Sequence, residues 1–315
     1  MTDEKTRLYS NSMIAGPMVK GSTLPFRLCC LNHGANLVYS EGITDIPLSK
    51  AKRVEEDGII SFYVNSNGND KCILKTCPEE RGHLVVQIVS NDPNTALLAA
   101  KQVEDIASAI DINCGCPEHW AVHRAAGSAI SVDLASNIVK ILVSNINLPI
   151  SVKARISESA DQTIQFAKAV EQAGISAFAL HGRIASHHHK GIVDYKLMKT
   201  TFEQLNCFTI GNGGINSLED ARKMKEETGC NSIMISQAAL ADPTVFSSER
   251  ASVPEIFREM LDYGKKYNEL YTGLKFGLEK IVSSQPKYSK AVANNLSSSN
   301  SYELAEEVLA KLVLV

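Results

Sequence analysis

Ala109-Ile-Asp-Ile-Asn-Cys-Gly-Cys-Pro117 and Ile150-Ser-Val-Lys-Ala-Arg155 decide the fold. Each opens as a short β-type run and ends on reactive or charged residues. The same unit recurs at Ser12–Ala15, Asn36–Ser40, Leu84–Val89, Ala177–Leu180, Phe208–Gly211 and Ser232–Ile235, which makes eight runs in all. Between them lie helical patterns with apolar residues near i, i+3 and i+4, as at Thr95–Ile106, Val132–Ser144, Thr163–Ala173 and Ser217–Glu227. Asn91-Asp-Pro93, and Ser217 followed by Glu219 and Asp220, are helix-start signals. Buried apolar strands alternating with helices read as a parallel sheet covered on both faces. Eight such units predict an α/β fold, a (β/α)8 TIM barrel, over residues 1–249.

The chain has 315 residues, of which 44% are hydrophobic and 21% charged. That supports a large core and leaves room for an appendage. Mean hydropathy is −0.07. No apolar run approaches the roughly 20 residues that cross a bilayer, and Met1–Ser10 carry no secretory apolar core. The expectation is a cytoplasmic protein with no membrane partner; a nuclear or mitochondrial address is left open. The eight cysteines are then expected to be reduced. Cys29 and Cys30 lie in an apolar run and read as core. Cys72 and Cys77 lack a second Cys/His pair at zinc spacing, so no metal site is expected.

Asp45–Lys75 is polar and reads as a surface insertion between the second and third strands. From Pro254 onward the pattern is helical, interrupted by the Ser/Asn-rich segment Asn294–Ser301, giving a small all-helical domain over residues 250–315. The net charge of −3 is awkward for a nucleic-acid binder but averages unlike parts. Residues 1–249 hold 23 basic and 27 acidic residues, residues 250–315 nine and eight; Arg258–Lys290 alone has seven against four.

Barrels of this kind carry their chemistry at the C-terminal strand ends. Those ends are Gly16-Pro-Met18, Glu41-Gly42, Gln87, Asn113–Pro117, Lys153-Ala-Arg155, His181-Gly-Arg183, Asn212-Gly-Gly214 and Ser236-Gln237. Asn212-Gly-Gly214 offers backbone N–H groups where barrels commonly hold phosphate. Lys153 and Arg155 alternate along one strand, share a face, and need an anionic or electron-rich partner. With His181 they point to a phosphorylated planar cofactor, for which FMN is the natural fit.

Met13-Ile-Ala-Gly-Pro-Met18, Asp111-Ile-Asn-Cys-Gly-Cys-Pro117, Val152-Lys-Ala-Arg155, Leu180-His-Gly-Arg183 and Gly211-Asn-Gly-Gly214 closely resemble the flavin-dependent tRNA-dihydrouridine synthases. Asp45, Leu74-Lys-Thr76, and Tyr263, Tyr267 and Tyr271 with Lys275 look most like the eukaryotic branch acting on uridine 20 of the tRNA D-loop. The resemblance implies FMN over the barrel mouth, NADPH or NADH as reductant, and hydride transfer to C6 of the uracil. It makes Cys116 the acid that protonates C5. An unperturbed thiol near pKa ~8.5 is mostly protonated at neutral pH and suits that role. A nucleophilic Cys116 would need a paired base such as His119 or His123.

By the same resemblance, Pro17, Met18, Glu41, Gln87, Lys153, His181, Asn212, Gly213, Gly214, Ser236 and Gln237 contact the flavin. Asn113, Arg155 and Arg183 face the substrate, and Lys265, Lys266 and Lys275 hold tRNA. His187-His-His-Lys190 reads as a loop touching RNA phosphate. Tyr263, Tyr267 and Tyr271 recur every fourth residue and read as one helix face packed on the barrel.

Three positions depart from the family pattern. Gly16 replaces the usual Ala and should be tolerated. His123-Arg-Ala-Ala-Gly127 has fewer glycines than usual, which implies a stiffer loop. Ser236-Gln237 stands where a pair ending in Arg is common. Loss of that charge-assisted contact, worth about 1.5–3 kcal/mol, implies weaker FMN retention. Two rival readings are a catalytically impaired tRNA-binding homologue and an FMN-dependent dehydrogenase of a free pyrimidine. The oligomeric state is not given by the sequence.

Overall fold

The computed structural model describes residues 4–66, 68–187, 190–285, 288 and 290–313. In chain order its elements are β1 (Met13–Ala15), α1 (Leu24–Asn32), β2 (Leu37–Thr44), α2 (Asp45–Ser49), β3 (Lys52–Glu56), β4 (Ile59–Ser66), β5 (Asn69–Thr76) and β6 (Leu84–Val89). Then come α3 (Pro93–Val103), β7 (Ala109–Cys114), α4 (His119–Val122), α5 (Val132–Asn145), β8 (Ile150–Arg155), α6 (Ala160–Gln172), β9 (Ala177–His181) and α7 (Tyr195–Phe202). The remainder are β10 (Phe208–Asn212), α8 (Leu218–Thr228), β11 (Ser232–Ile235), α9 (Gln237–Ala241), α10 (Val253–Lys266), α11 (Tyr271–Ser283), α12 (Lys290–Ser298) and α13 (Tyr302–Val313).

β1, β2 and β6–β11 form a closed barrel in that order, parallel throughout, with β11 pairing back onto β1. This is the expected (β/α)8 architecture, and each of the eight expected runs falls on a barrel strand. Several strands run further than their apolar residues. Arg155, His181 and Asn212 are the last residues of β8, β9 and β10. Their side chains therefore project from rigid strand ends.

Tyr9, Ile14, Leu37, Tyr39, Val85, Ala109, Ala177, Ala179, Ile210 and Met234 form one buried cluster inside the barrel. Tyr9 ends a 3-10 helix and reaches its floor, where its hydroxyl donates to Ser151 Oγ at 3.2 Å. A larger apolar layer lies between strands and helices and continues under the C-terminal helices.

The insertion after β2 is more ordered than a polar surface segment. α2 is followed by an antiparallel sheet, β3-β4-β5, that buries Ile60, Phe62 and Leu74. The alternation Ile60-Ser-Phe62 carries that pattern, and the polar Asn65–Asp70 tip hides it. Asp45 is wholly buried and accepts hydrogen bonds from Ser90 Oγ at 2.6 Å and Thr95 Oγ1 at 2.5 Å.

The C-terminal segment also differs in detail. Residues through Ser298 of the Ser/Asn-rich stretch belong to α12, and only Ser299–Ser301 separate it from α13. The tyrosines do not share one helix. Tyr263 is in α10, Tyr267 caps it, Asn268 takes φ +48°, and Tyr271 opens α11. Tyr267 and Tyr263 nevertheless pack inward, against Leu24, Leu28 and Cys77.

Arg27 of α1 and Glu80 form a buried bidentate pair at 2.6 and 2.7 Å. Two of the three remaining guanidinium hydrogens go to the carbonyls of Ser22 and Lys75, each at 2.7 Å. Glu80→Ala strands a buried charge and is expected to cost about 3–5 kcal/mol in urea unfolding. A loss below ~1 kcal/mol would show that the pair does not hold the insertion to the barrel.

Candidate active site at the barrel mouth

A cavity of about 580 Å³ opens at the C-terminal ends of the barrel strands. Of the residues read from sequence, Pro17 and Met18 line it after β1, Gln87 from β6, Asn113 from β7 and Cys116 just after it, and Lys153 and Arg155 from β8. His181 and Arg183, Asn212 to Gly214, and Ser236 and Gln237 complete the ring.

Glu41 is not among them. Its carboxylate accepts the Lys20 backbone N–H at 2.8 Å and lies in a smaller recess beside Cys72 and Lys75. The cause is a register shift between Tyr39 and Gly42 in the pairing of β2 with β6, which turns Gly42 to the cavity instead. Lys265, Lys266 and Lys275 lie on the C-terminal helices, outside the cavity. Each has an internal partner: Glu306 for Lys265, Glu79 for Lys266, and the carbonyls of Ser297 and Ser299 for Lys275. His188, His189 and Lys287 lie outside the described residues.

A hydrogen-bond chain sets the inner wall. Asp111 is wholly buried and accepts from Ser151 Oγ at 2.6 Å and Gln87 Nε2 at 2.8 Å. Gln87 Oε1 accepts from Asn113 Nδ2 at 2.8 Å. Asn113 Oδ1 accepts the backbone N–H of Gly115 at 3.1 Å and of Cys116 at 2.9 Å. On the other side, Arg155 Nε donates to the Gly115 carbonyl at 3.0 Å. The turn carrying Cys116 is thus held at both faces. Arg124, just beyond it, pairs with Asp45 at 3.0 Å.

Burial pushes Asp111 up to about 6, against its bonds to Ser151 and Gln87. Burial, reinforced by Arg155, lowers Lys153 to about 8. Lys153 Nζ has no hydrogen-bond partner among the described residues, so a cation held largely out of water faces the cavity alone. His181 Nδ1 accepts the Arg183 backbone N–H at 3.2 Å, which leaves Nε2 to carry the ring proton. Gly213 at φ +111° lies against this ring, where a Cβ would come 3.1 Å from Nε2. Gly214 at φ +72° lies against Arg183, 3.3 Å from Nη2 by the same measure. Unpartnered cation, bare glycine backbone and imidazole donor together suit an anionic, planar ligand.

Cys116 is half-buried, and burial raises its pKa. His119 and His123 face one another at 5.5 Å between ring centroids, and neither hydrogen-bonds the thiol. A protonated thiol is the state this environment favours, not a base-activated thiolate. Gly127 at φ +60° closes the loop behind it. A Cβ there would come 2.6 Å from the Cys116 carbonyl oxygen.

An alanine at Gly16 would make the neighbouring Ser236 and Met234 side chains shift. A Cβ at that position would lie 2.3 Å from Ser236 Oγ. Gly16 and Ser236 are therefore one steric feature.

Sequence reading placed Gly42 at a strand end without a role, and missed Glu118, Trp120, Asn216, Phe276 and Lys280, all of which line the cavity. Trp120, the sole tryptophan, follows Cys116 by four residues and could have been found. Phe276 and Lys280 come from α11 and gave no local signal.

Fold and site together define a (β/α)8 barrel with an anion-receptive mouth and a protonated thiol at its edge. The chain belongs to the dihydrouridine synthase (Dus) family, whose profile matches residues 13–298. A human relative named tRNA-dihydrouridine(20a/20b) synthase (NAD(P)+)-like is 29% identical over 91% of this chain and 87% of its own. A Saccharomyces cerevisiae relative named tRNA-dihydrouridine(20) synthase (NAD(P)+) is 31% identical over 87% of this chain and 78% of its own. Among solved structures, the old yellow enzyme homologue from Zymomonas mobilis matches with a TM-score of 0.49 at 9% identity, covering 74% of this chain and 86% of that one.

Alkylation of Cys116 by iodoacetamide should be slow at pH 7. Its rate should keep rising above pH ~9, where an unperturbed thiol is already largely ionised. Mass-spectrometric rates that level off near pH 7 would instead identify an activated thiolate.

Proposed function

We propose that this chain is an FMN-dependent tRNA-dihydrouridine synthase that reduces uridine 20 of the D-loop, with residues 1–249 as the catalytic unit and 250–315 as an RNA-binding arm. The observation that carries this reading is Cys116, half-buried and with its thiol pKa raised by burial, on a cavity also lined by Lys153, His181 and the Gly213-Gly214 turn. The names of the human and yeast relatives support the product and the reductant.

The chemistry this site would draw from FMN, when bound and reduced by NADPH or NADH, is a hydride for C6 of the uracil. Lys153 and His181 would hold the flavin, Lys153 through its ammonium and His181 as a donor from Nε2. Asn212 is fixed by its Nδ2 bond to the Met234 carbonyl at 2.8 Å, which steadies the turn into Gly213 and Gly214. Those glycines offer backbone N–H groups to the phosphate. Asn113 and Arg155 orient the turn through Gly115 and Cys116 beside the uracil. Arg183 lies near enough to the glycine turn to serve phosphate rather than base. Cys116 delivers its proton to C5, so that hydride and proton together saturate the 5,6 bond. The target base leaves its stack to reach the mouth.

Lys265 and Lys266 can serve RNA because their present ion pairs are largely solvent-exposed. Such pairs are worth about 0–1 kcal/mol and exchange readily for phosphate. Lys275 is more firmly held and would contribute field rather than contact.

Cys116→Ala should abolish dihydrouridine formation in tRNA while leaving flavin absorbance and tRNA binding intact. Undiminished product formation by that variant would overturn the mechanism. Turnover of a free pyrimidine in place of tRNA would overturn the substrate. FMN affinity should also fall as pH rises through about 8, where Lys153 loses its proton. Fluorescence titrations at pH 7 and 9.5 would show the change, and Lys153→Met should flatten it.

A further inference from the structure

The two sides of the glycine turn differ in charge. On the β9 side, Arg183 lies against Gly214. On the β11 side, Ser236 and Gln237 are neutral, and no Lys or Arg occurs from Ser232 to Glu249. The C-terminal helices bring a cation to that side. α11 packs on α9, and Ser284 Oγ just after α11 donates to the Ala241 carbonyl at 3.2 Å. This packing puts Phe276 and Lys280, one helical turn apart, on the wall of the cavity that Ser236 and Gln237 also line.

Lys280 is exposed and has no ion-pair partner among the described residues. Its ammonium sits 5.3 Å from the centroid of the Phe276 ring. An exposed cation–π contact is worth about 0.5–1 kcal/mol, enough to bias the side chain toward the cavity but weak enough to yield to phosphate.

We propose that Lys280 is a phosphate ligand of the flavin site, reaching the barrel from the C-terminal helices and making the site selective for FMN over unphosphorylated flavin. This rests on the flavin reading above. It also offsets the weaker retention expected from Ser236-Gln237, since the missing charge is supplied by a different element. RNA backbone phosphate shares the same chemistry, so the test separates the two sources.

FMN and riboflavin are titrated by flavin fluorescence into full-length wild-type, Lys280→Gln and Lys280→Arg proteins stripped of flavin. tRNA binding is measured in parallel by filter retention. Lys280→Gln should weaken FMN about tenfold, leave riboflavin unchanged within twofold, and spare tRNA. Lys280→Arg should keep most of the FMN affinity. Equal FMN affinity in wild type and Lys280→Gln would overturn the inference. So would equal losses for FMN and riboflavin, which mark a packing effect, and so would a loss confined to tRNA, which makes RNA the occupant. Wild-type protein that binds neither flavin would overturn the flavin reading itself, a result distinct from all of these.

Discussion

A buried carboxylate can only accept hydrogen bonds, and at Asp111 that restriction propagates to the thiol. Because Asp111 accepts, Gln87 must turn its amide nitrogen inward, which leaves Oε1 for Asn113. Asn113 must then donate through Nδ2, so its own oxygen is free for the backbone of Gly115 and Cys116. Every amide in the series has one permitted orientation. The desolvation of Asp111 is offset by Ser151, Gln87 and the nearby Lys153, and the same burial lowers Lys153. Asp111, Lys153 and the strand core are therefore one electrostatic unit.

The elements outside the barrel serve this unit from behind. Asp45, at the start of the insertion, joins α2 to Ser90 and Thr95 and pairs with Arg124 of the Cys116 loop. Lys75, at the end of β5, donates to the carbonyls of Tyr267 at 3.1 Å and Asn268 at 2.6 Å. The insertion thus ties the thiol loop at one end to the junction of α10 and α11 at the other. That junction aims α11 along α9 and brings Phe276 and Lys280 to the mouth.

Much of this was legible because a barrel strand writes its role locally. β6 and β11 coincide with their apolar runs, and reactive residues follow the runs directly. Legibility failed where a side chain's direction depends on a neighbour. Glu41 reads as a cavity residue until the bulge in β2 turns Gly42 inward instead. The tyrosines at every fourth residue read as one helix face, yet Asn268 breaks the helix between them. The changes at Gly16 and Ser236 look independent in sequence and are a single steric pair in space.

By itself the sequence determined the eightfold strand–helix alternation, the ring of reactive residues at one end and the thiol among them. Those features depend on residue type and on periods of two and 3.6, which a linear reading contains. Tertiary structure alone decided the orientation of the Asp111 chain, the replacement of Glu41 by Gly42, and the arrival of Lys280 at the cavity that Ser236 and Gln237 also line. Each of these depends on contacts between segments far apart in the chain. Hydrogen-bond direction and side-chain reach are set there by packing, not by local propensity.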